Sequence, residues 1–223
     1  METRRSYQVL ARKIEELILR KYEIGDRLPG ERDLAKKYKV SRPTVREAVV
    51  SLELAGLVHV RTNSGTYVAN SMPQASDDPG APPFEILRAR MILEPEVAAL
   101  AAEHHIQADL EKMEAATEQM RLEHIQNAPT EKGDRLFHCA VAKASANTVL
   151  MELIEVLWST QQKSRMWLRA DEYGRTKEIR PLWVEDHLAV LSAIKERDPK
   201  AARAAMTDHL RHIWQILLDA GSK

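Results

Sequence analysis

Residues 28–68, LPGERDLAKKYKVSRPTVREAVVSLELAGLVHVRTNSGTYV, constrain the chain more than any other stretch. Leu28-Pro29 is extended or turn-like, because proline locks its own φ and restricts the residue before it. Leu34, Ala35 and Tyr38 then share one face of a short helix over 31–38. Val40 and Ser41 interrupt it. Ser41 is a good N-cap, since its hydroxyl can accept an orphan backbone N–H, and Pro43 falls in the first turn, where its missing N–H costs nothing. Val45, Ala48, Val49 and Leu52 follow at helical spacing, with Arg42, Arg46 and Glu47 off that stripe, and Gly56 stops the helix. Two short strands, 57–61 and 66–69, flank a Thr-Asn-Ser-Gly turn.

Two helices joined by a tight turn and followed by a small hairpin describe a winged helix-turn-helix, whose second helix would lie in a DNA major groove. Exposed arginines suit that task, because guanidinium forks onto a phosphate or a guanine edge. One Arg-bearing helix alone would be read as an ordinary solvated face; the whole ordered string favours DNA. Charge agrees. The net charge of the chain is zero, yet residues 1–70 hold 14 Lys and Arg against 9 Asp and Glu, and the remainder 19 against 24, so a basic head at +5 precedes an acidic body at −5.

The pattern LPxERxLAxxxxVSRxTVREAxxxLxxxGLV with a glycine-bearing wing, spanning about residues 7–70, resembles the GntR family of bacterial transcription regulators. That resemblance implies DNA contacts by Arg32, Arg42 and Arg46, with Ser41 and Thr44 beside them and Gly65 at the wing tip. Two positions depart from the family pattern: Gly30 stands where Ser or Ala is common, and Asn63 replaces the first wing glycine. Asn tolerates left-handed backbone better than most residues, so the wing is expected to survive.

Ahead of this motif, Val9, Leu10, Ile14, Leu17 and Ile18 predict an amphipathic helix over 7–21, and Arg4, Arg5 and Arg12 could reach phosphates. After it, residues 70–83, NSMPQASDDPGAPP, read as a linker, which divides the chain into a head at 1–70, a linker at 71–83 and a second domain at 84–223. That second domain is helical in pattern, with helices expected near 84–103, 107–125, 130–145, 147–168, 177–196 and 199–219. Asn147 and Asp198-Pro199 look like helix starts, and Pro95 predicts a kink. The fold class expected is mainly α: a winged helix-turn-helix plus an all-α bundle. A single cysteine, Cys139, rules out an internal disulfide, and no apolar run approaches a bilayer span, so a soluble cytoplasmic protein is expected, with no membrane partner.

Asp134 and His138 lie four apart on one expected helix, one turn apart on the same face. His187 and His209 adjoin leucines on the last two helices, so both imidazoles should point inward. Bundle cores build metal sites from facing helices in this way, and three imidazoles with one carboxylate suit a divalent ion of the Zn, Ni or Mn class; the alternative is a set of hydrogen-bonded core histidines. Residues 84–218 resemble the FCD ligand-binding domain, the helical C-terminal domain of the FadR-type branch of GntR regulators. That resemblance implies that Asp134, His138, His187 and His209 are the metal ligands and that Arg90 pairs with an effector carboxylate, which is compatible with an Arg90–Glu94 ion pair. PFEILRARMILE, the GDxxFHxAxAxAxxNxxLxEL run at 133–153, Trp158 and Met166-Trp167 are similar to the hexuronate-pathway (UxuR/ExuR-type) repressors, which implies a sugar acid as effector. Trp158 and Trp167 would offer it flat apolar surfaces, or serve as core.

The expectation is therefore a homodimeric, DNA-binding transcription regulator, a repressor, reading a palindromic operator and controlled by a small carboxylate bound near the metal. Two rivals stand beside it: a metal-dependent enzyme acting on a sugar acid, and an effector-independent dimeric DNA-binding protein.

Overall fold

The structure is a computed structural model that describes residues 6–62, 64–69, 80–128, 132–174 and 180–220. Among these lie ten helices and one two-stranded sheet: α1 Ser6–Lys21, α2 Glu31–Tyr38, α3 Arg42–Leu54, β1 Val58–Arg61, β2 Gly65–Val68, α4 Pro83–His104, α5 Gln107–Ile125, α6 Lys132–Ala144, α7 Thr148–Lys163, α8 Arg165–Gly174, α9 Arg180–Lys195 and α10 Pro199–Ala220. The fold is mainly α, as expected. Two compact units form, one from Met1–Phe84, Ser164–Tyr173 and Gln215–Lys223, the other from Glu85–Lys163 and Gly174–Trp214.

The first unit contains the winged helix-turn-helix. Tyr7, Leu10, Ile14 and Ile18 of α1 are buried with Leu34 of α2 and Val45, Ala48, Val49 and Leu52 of α3. Spacing predicts Val9 on the α1 stripe, yet it is 43% exposed: it sits about 100° around the helix from Leu10, and Tyr7 takes the inward position instead. The turn between α2 and α3 passes through Lys39 in the left-handed region. Ser41 then caps α3, its hydroxyl accepting from the Thr44 amide. β1 and β2 pair antiparallel from Val58↔Val68 to Arg61↔Gly65. Residues 25–28 add a third extended edge to this hairpin, Leu28 N donating to Thr66 O and Val68 N to Asp26 O, where Leu28-Pro29 by itself predicts only an extended or turn-like chain. Asn63, Arg4, Arg5 and residues 70–79 of the linker lie outside the described residues.

The second unit is helical throughout its described residues. Asn147 and Asp198 cap α7 and α10, each side chain accepting from two backbone amides. The helix α4 continues through Pro95. One expected helix is two. The stretch 147–168 breaks at Ser164, whose hydroxyl donates to Ala81 O and accepts from Trp167 N, so it starts α8 as a cap. Helix α9 is described over Arg180–Lys195, and positions 177–179 of the expected helix lie outside the described residues.

Helices α5 and α6 approach so closely that Gly133 has no room for a side chain. A Cβ there would lie 2.6 Å from both Met120 Cγ and Met120 N and 2.8 Å from Ala116 O. Gly133→Ala is expected to destabilise the second unit by about 1–3 kcal/mol through overpacking against backbone that cannot yield. Urea unfolding of the two proteins measures it, and an unchanged midpoint would contradict so tight an approach.

Candidate metal centre and DNA-reading surface

Five helices of the second unit converge on one buried cluster. Helix α6 brings Asp134 and His138, α9 brings His187 and α10 brings His209; one ligand atom from each lies within 4.8 Å of the others. Asp134 Oδ1 is 3.1 Å from His187 Nε2 and 3.4 Å from His138 Nε2, and the two Nε2 atoms are 3.3 Å apart. The three histidines are buried, while the Asp134 side chain is 23% exposed and marks the wetter side.

The other ring nitrogens decide what faces the centre. His187 Nδ1 donates to Trp183 O at 2.6 Å, one turn back on α9, which leaves Nε2 with a lone pair. His138 Nε2 accepts from Arg90 Nη2 at 3.2 Å, so it too carries a lone pair; its Nδ1 lies 2.8 Å from Glu94 Oε2, close but off the line of a straight hydrogen bond. His209 Nδ1 is 3.5 Å from Asp186 Oδ2, and neither ring nitrogen of His209 has a hydrogen-bond partner although both are buried. Two lone pairs and a carboxylate oxygen thus face one point, beside an imidazole whose nitrogens lack partners. Without a cation or a shared proton that arrangement is repulsive. Two donors each about 2.1 Å from one ion lie roughly 3.0–3.4 Å apart for right-angled to tetrahedral geometry, which the separations among Asp134, His138 and His187 match. The residues present therefore fit a borderline divalent ion.

Titration follows the same contacts. Burial pushes His209 down to about 3, with neighbouring His187 adding to the effect, so the ring is neutral. Burial alone would raise the Asp134 carboxyl, but the His138 and His187 rings against it outweigh burial and hold it well below the usual carboxylate range.

A second layer lies behind the cluster. Arg90 of α4 is fully buried, its Nε and Nη2 donating to the two oxygens of Glu94 at 2.7 and 3.2 Å and its Nη1 to Gln161 Oε1 at 3.2 Å. The Arg90 guanidinium carbon is 4.3 Å from the centre of the Trp158 ring, and that ring is 5.1 Å from His138. Burial would raise the Glu94 carboxyl, yet Arg90 and His138 bring it to about 2. Trp158 Nε1 and Trp183 Nε1 are buried donors without partners. Trp167 lies on α8, in the compact unit of the winged head, and is not among the residues that build this cluster. Cys139 is half-buried rather than in the core proper, with its thiol pushed up by burial.

Gln161, Trp183 and Asp186 escaped the sequence reading. Gln161 left a signal, because Ile154, Trp158 and Gln161 are spaced to share the buried face of α7 and a polar side chain there needs a partner. Trp183 acts through its backbone carbonyl, which no residue type reveals.

In the head, Arg32 and Arg42 are exposed. Arg46 is not a free cation: its Nε and Nη2 donate to Glu31 at 3.1 and 3.2 Å, tying α3 to α2, and its side chain is 32% exposed. Arg42 reaches the same carboxylate at 3.9 Å. Ser41 and Thr44 hydroxyls are 2.8 Å apart, so both are engaged in the cap. At the wing, Gly65 has φ +131°, and a Cβ there would sit 2.8 Å from Arg27 Nε; the Arg27 guanidinium covers the glycine. Arg61 stacks on Tyr67, 4.7 Å from the ring centre.

Comparison with known proteins places these two parts. Residues 6–68 match the bacterial regulatory proteins of the gntR family, and residues 85–212 match the FCD domain. The chain is 38% identical to the Uxu operon transcriptional regulator of Escherichia coli K12, over 96% of this chain and 88% of that protein. It is 36% identical to the Exu regulon transcriptional regulator of the same strain, over 99% of this chain and 88% of that protein. Among solved structures, E. coli McbR/YncC shares the fold at a TM-score of 0.55 and 22% identity, covering 96% of this chain and 97% of that one. These families and relatives are transcription regulators, not enzymes, which sets aside the enzymatic rival. The winged head, the helical cluster and these matches together make the chain a member of the GntR family of DNA-binding transcription regulators, in the branch that carries an FCD domain.

Proposed function

We propose that the protein is a cytoplasmic, homodimeric repressor that reads a palindromic operator and is controlled by a sugar acid bound beside a divalent ion of the Zn, Ni or Mn class. The observation that carries the metal is the facing pair of imidazole lone pairs, His138 Nε2 and His187 Nε2, with Asp134 Oδ1 beside both. Asp134, His138, His187 and His209 would hold the ion, which would supply a Lewis-acidic point of attachment for a carboxylate. Arg90 lies against His138 and would pair with that carboxylate, while the unpartnered indole N–H of Trp158 would take a hydroxyl of the sugar acid. The similarity to regulators named for the Uxu operon and the Exu regulon supports a hexuronate as that sugar acid. Dimerisation follows from the need of one small head for a second half-site. Ligand binding would act on DNA by its differential affinity for two arrangements of the heads.

Arg32, Arg42 and Arg46 would contact DNA, with Ser41 and Thr44 ordering the start of α3 and Gly65 letting the wing approach. The test is a mobility shift on a duplex that the wild-type protein selects from a random pool, with and without glucuronate or fructuronate. Arg46→Ala is expected to weaken binding about 5- to 150-fold, the cost of one specific Arg contact, and to leave metal content unchanged. A shift unmoved by Arg46→Ala would remove that residue from the reading surface, and wild-type protein that selects no duplex would overturn the reading.

A further inference from the structure

Glu123 lies near the end of α5, ten residues before Gly133 and outside the metal cluster. Its residue is 5% exposed, yet its carboxylate is fully engaged. It accepts from Lys132 N at 3.1 Å on each oxygen, from Gly133 N at 3.2 Å and from Gln119 Nε2 at 2.8 Å. Lys132 and Gly133 open α6, so the orphan amides of one helix are satisfied by a side chain of another. Asp134 is the next residue.

We infer that Glu123 is a positioning residue for Asp134: it fixes the first turn of α6 on α5 and thereby sets where the Asp134 carboxylate meets His138 and His187. The inference rests on the metal reading above. Two features make the coupling stiff. Gly133 lets the α6 backbone come down against Met120 and Ala116, where a side chain would hold it off. The carboxylate then pins the amides of the two residues immediately before Asp134. Asp134 Oδ1 sits 3.1 and 3.4 Å from two imidazole nitrogens, so a shift of about 1 Å in the first turn of α6 would take it out of reach of a shared ion. His138, one turn deeper in α6, is held independently by Glu94 and Arg90. Loss of Glu123 should therefore be felt at Asp134 first.

The experiment is Zn²⁺ affinity of the metal-stripped full chain, measured by competition with a chromophoric chelator, for wild type, Glu123→Ala, Glu123→Gln, Asp134→Ala and the Glu123→Ala/Asp134→Ala double variant. Glu123→Ala is expected to weaken Zn²⁺ by about 10- to 100-fold, the usual cost of removing a group that orients a ligand. Glu123→Gln should recover part of this, since its amide oxygen still accepts. In the double variant Glu123→Ala should add nothing to the loss from Asp134→Ala, because its effect runs through that residue. An effect of equal size on the Asp134→Ala background would mean that Glu123 merely supports the fold. Unchanged affinity in both Glu123 variants would overturn the inference while leaving the metal reading intact, and wild-type protein that binds no Zn²⁺, Ni²⁺ or Mn²⁺ would overturn both.

Discussion

Replacing Glu94 by alanine is expected to cost the metal-stripped chain about 3–5 kcal/mol of stability, the largest effect of any single substitution considered. Glu94 takes two of the hydrogen bonds of Arg90, and both side chains are almost wholly buried. Without Glu94, Arg90 would keep only neutral acceptors, Gln161 Oε1 and His138 Nε2, for a full charge held away from water. The cost comes from that stranded charge rather than from the strength of the pair. Removing both charges at once, as in Arg90→Met/Glu94→Leu, should therefore recover most of the loss, because well-packed apolar pairs often replace buried ion pairs at little cost. Urea unfolding of wild type, the single variant and the double variant checks both statements. A loss below about 1 kcal/mol for Glu94→Ala would show that water reaches the pair.

Replacing His187 by alanine is expected to remove metal binding. Its Nε2 contacts both Asp134 Oδ1 and His138 Nε2, and its ring is aimed by the Trp183 carbonyl. Loss of a residue that merely orients a ligand costs about 10- to 100-fold, so loss of the ligand itself should exceed that. A native-state ligand present at a thousand times its Kd stabilises by about 4 kcal/mol, and this increment should vanish in the variant. Thermal melts with and without Zn²⁺, together with elemental analysis after gel filtration, read the change. Retention of one ion per chain by His187→Ala would place the ion elsewhere.

Much of the head was legible in residue order, because its signals are local. The Ser41 cap and the 3.6-residue stripe of α3 each depend on neighbours a few positions away. Asp134 and His138 were legible for the same reason, being one turn apart on one helix. The break at Ser164 was not. Residues 147–168 keep a helical pattern, and the interruption comes from a hydrogen bond to Ala81, more than eighty residues earlier. Arg46 shows the same limit from the other side: its charge was plain, but its fork is already occupied by Glu31 of the preceding helix.

What the amino-acid order determined by itself is the winged head and the helical second half, the caps at Ser41, Asn147 and Asp198, and the four side chains able to face one ion. Periodicity and capping are short-range, so they survive without knowledge of how helices meet. Only the tertiary structure decided the rest: that Gln161 joins Glu94 in holding Arg90, that the Trp183 carbonyl sets the tautomer of His187, and that Glu123 reaches across to pin the turn that carries Asp134. The Arg90–Gln161 and Glu123–Gly133 bonds join residues 71 and 10 positions apart on different helices, and their existence depends on interhelical distances of a few ångströms, which no pattern of residue types encodes.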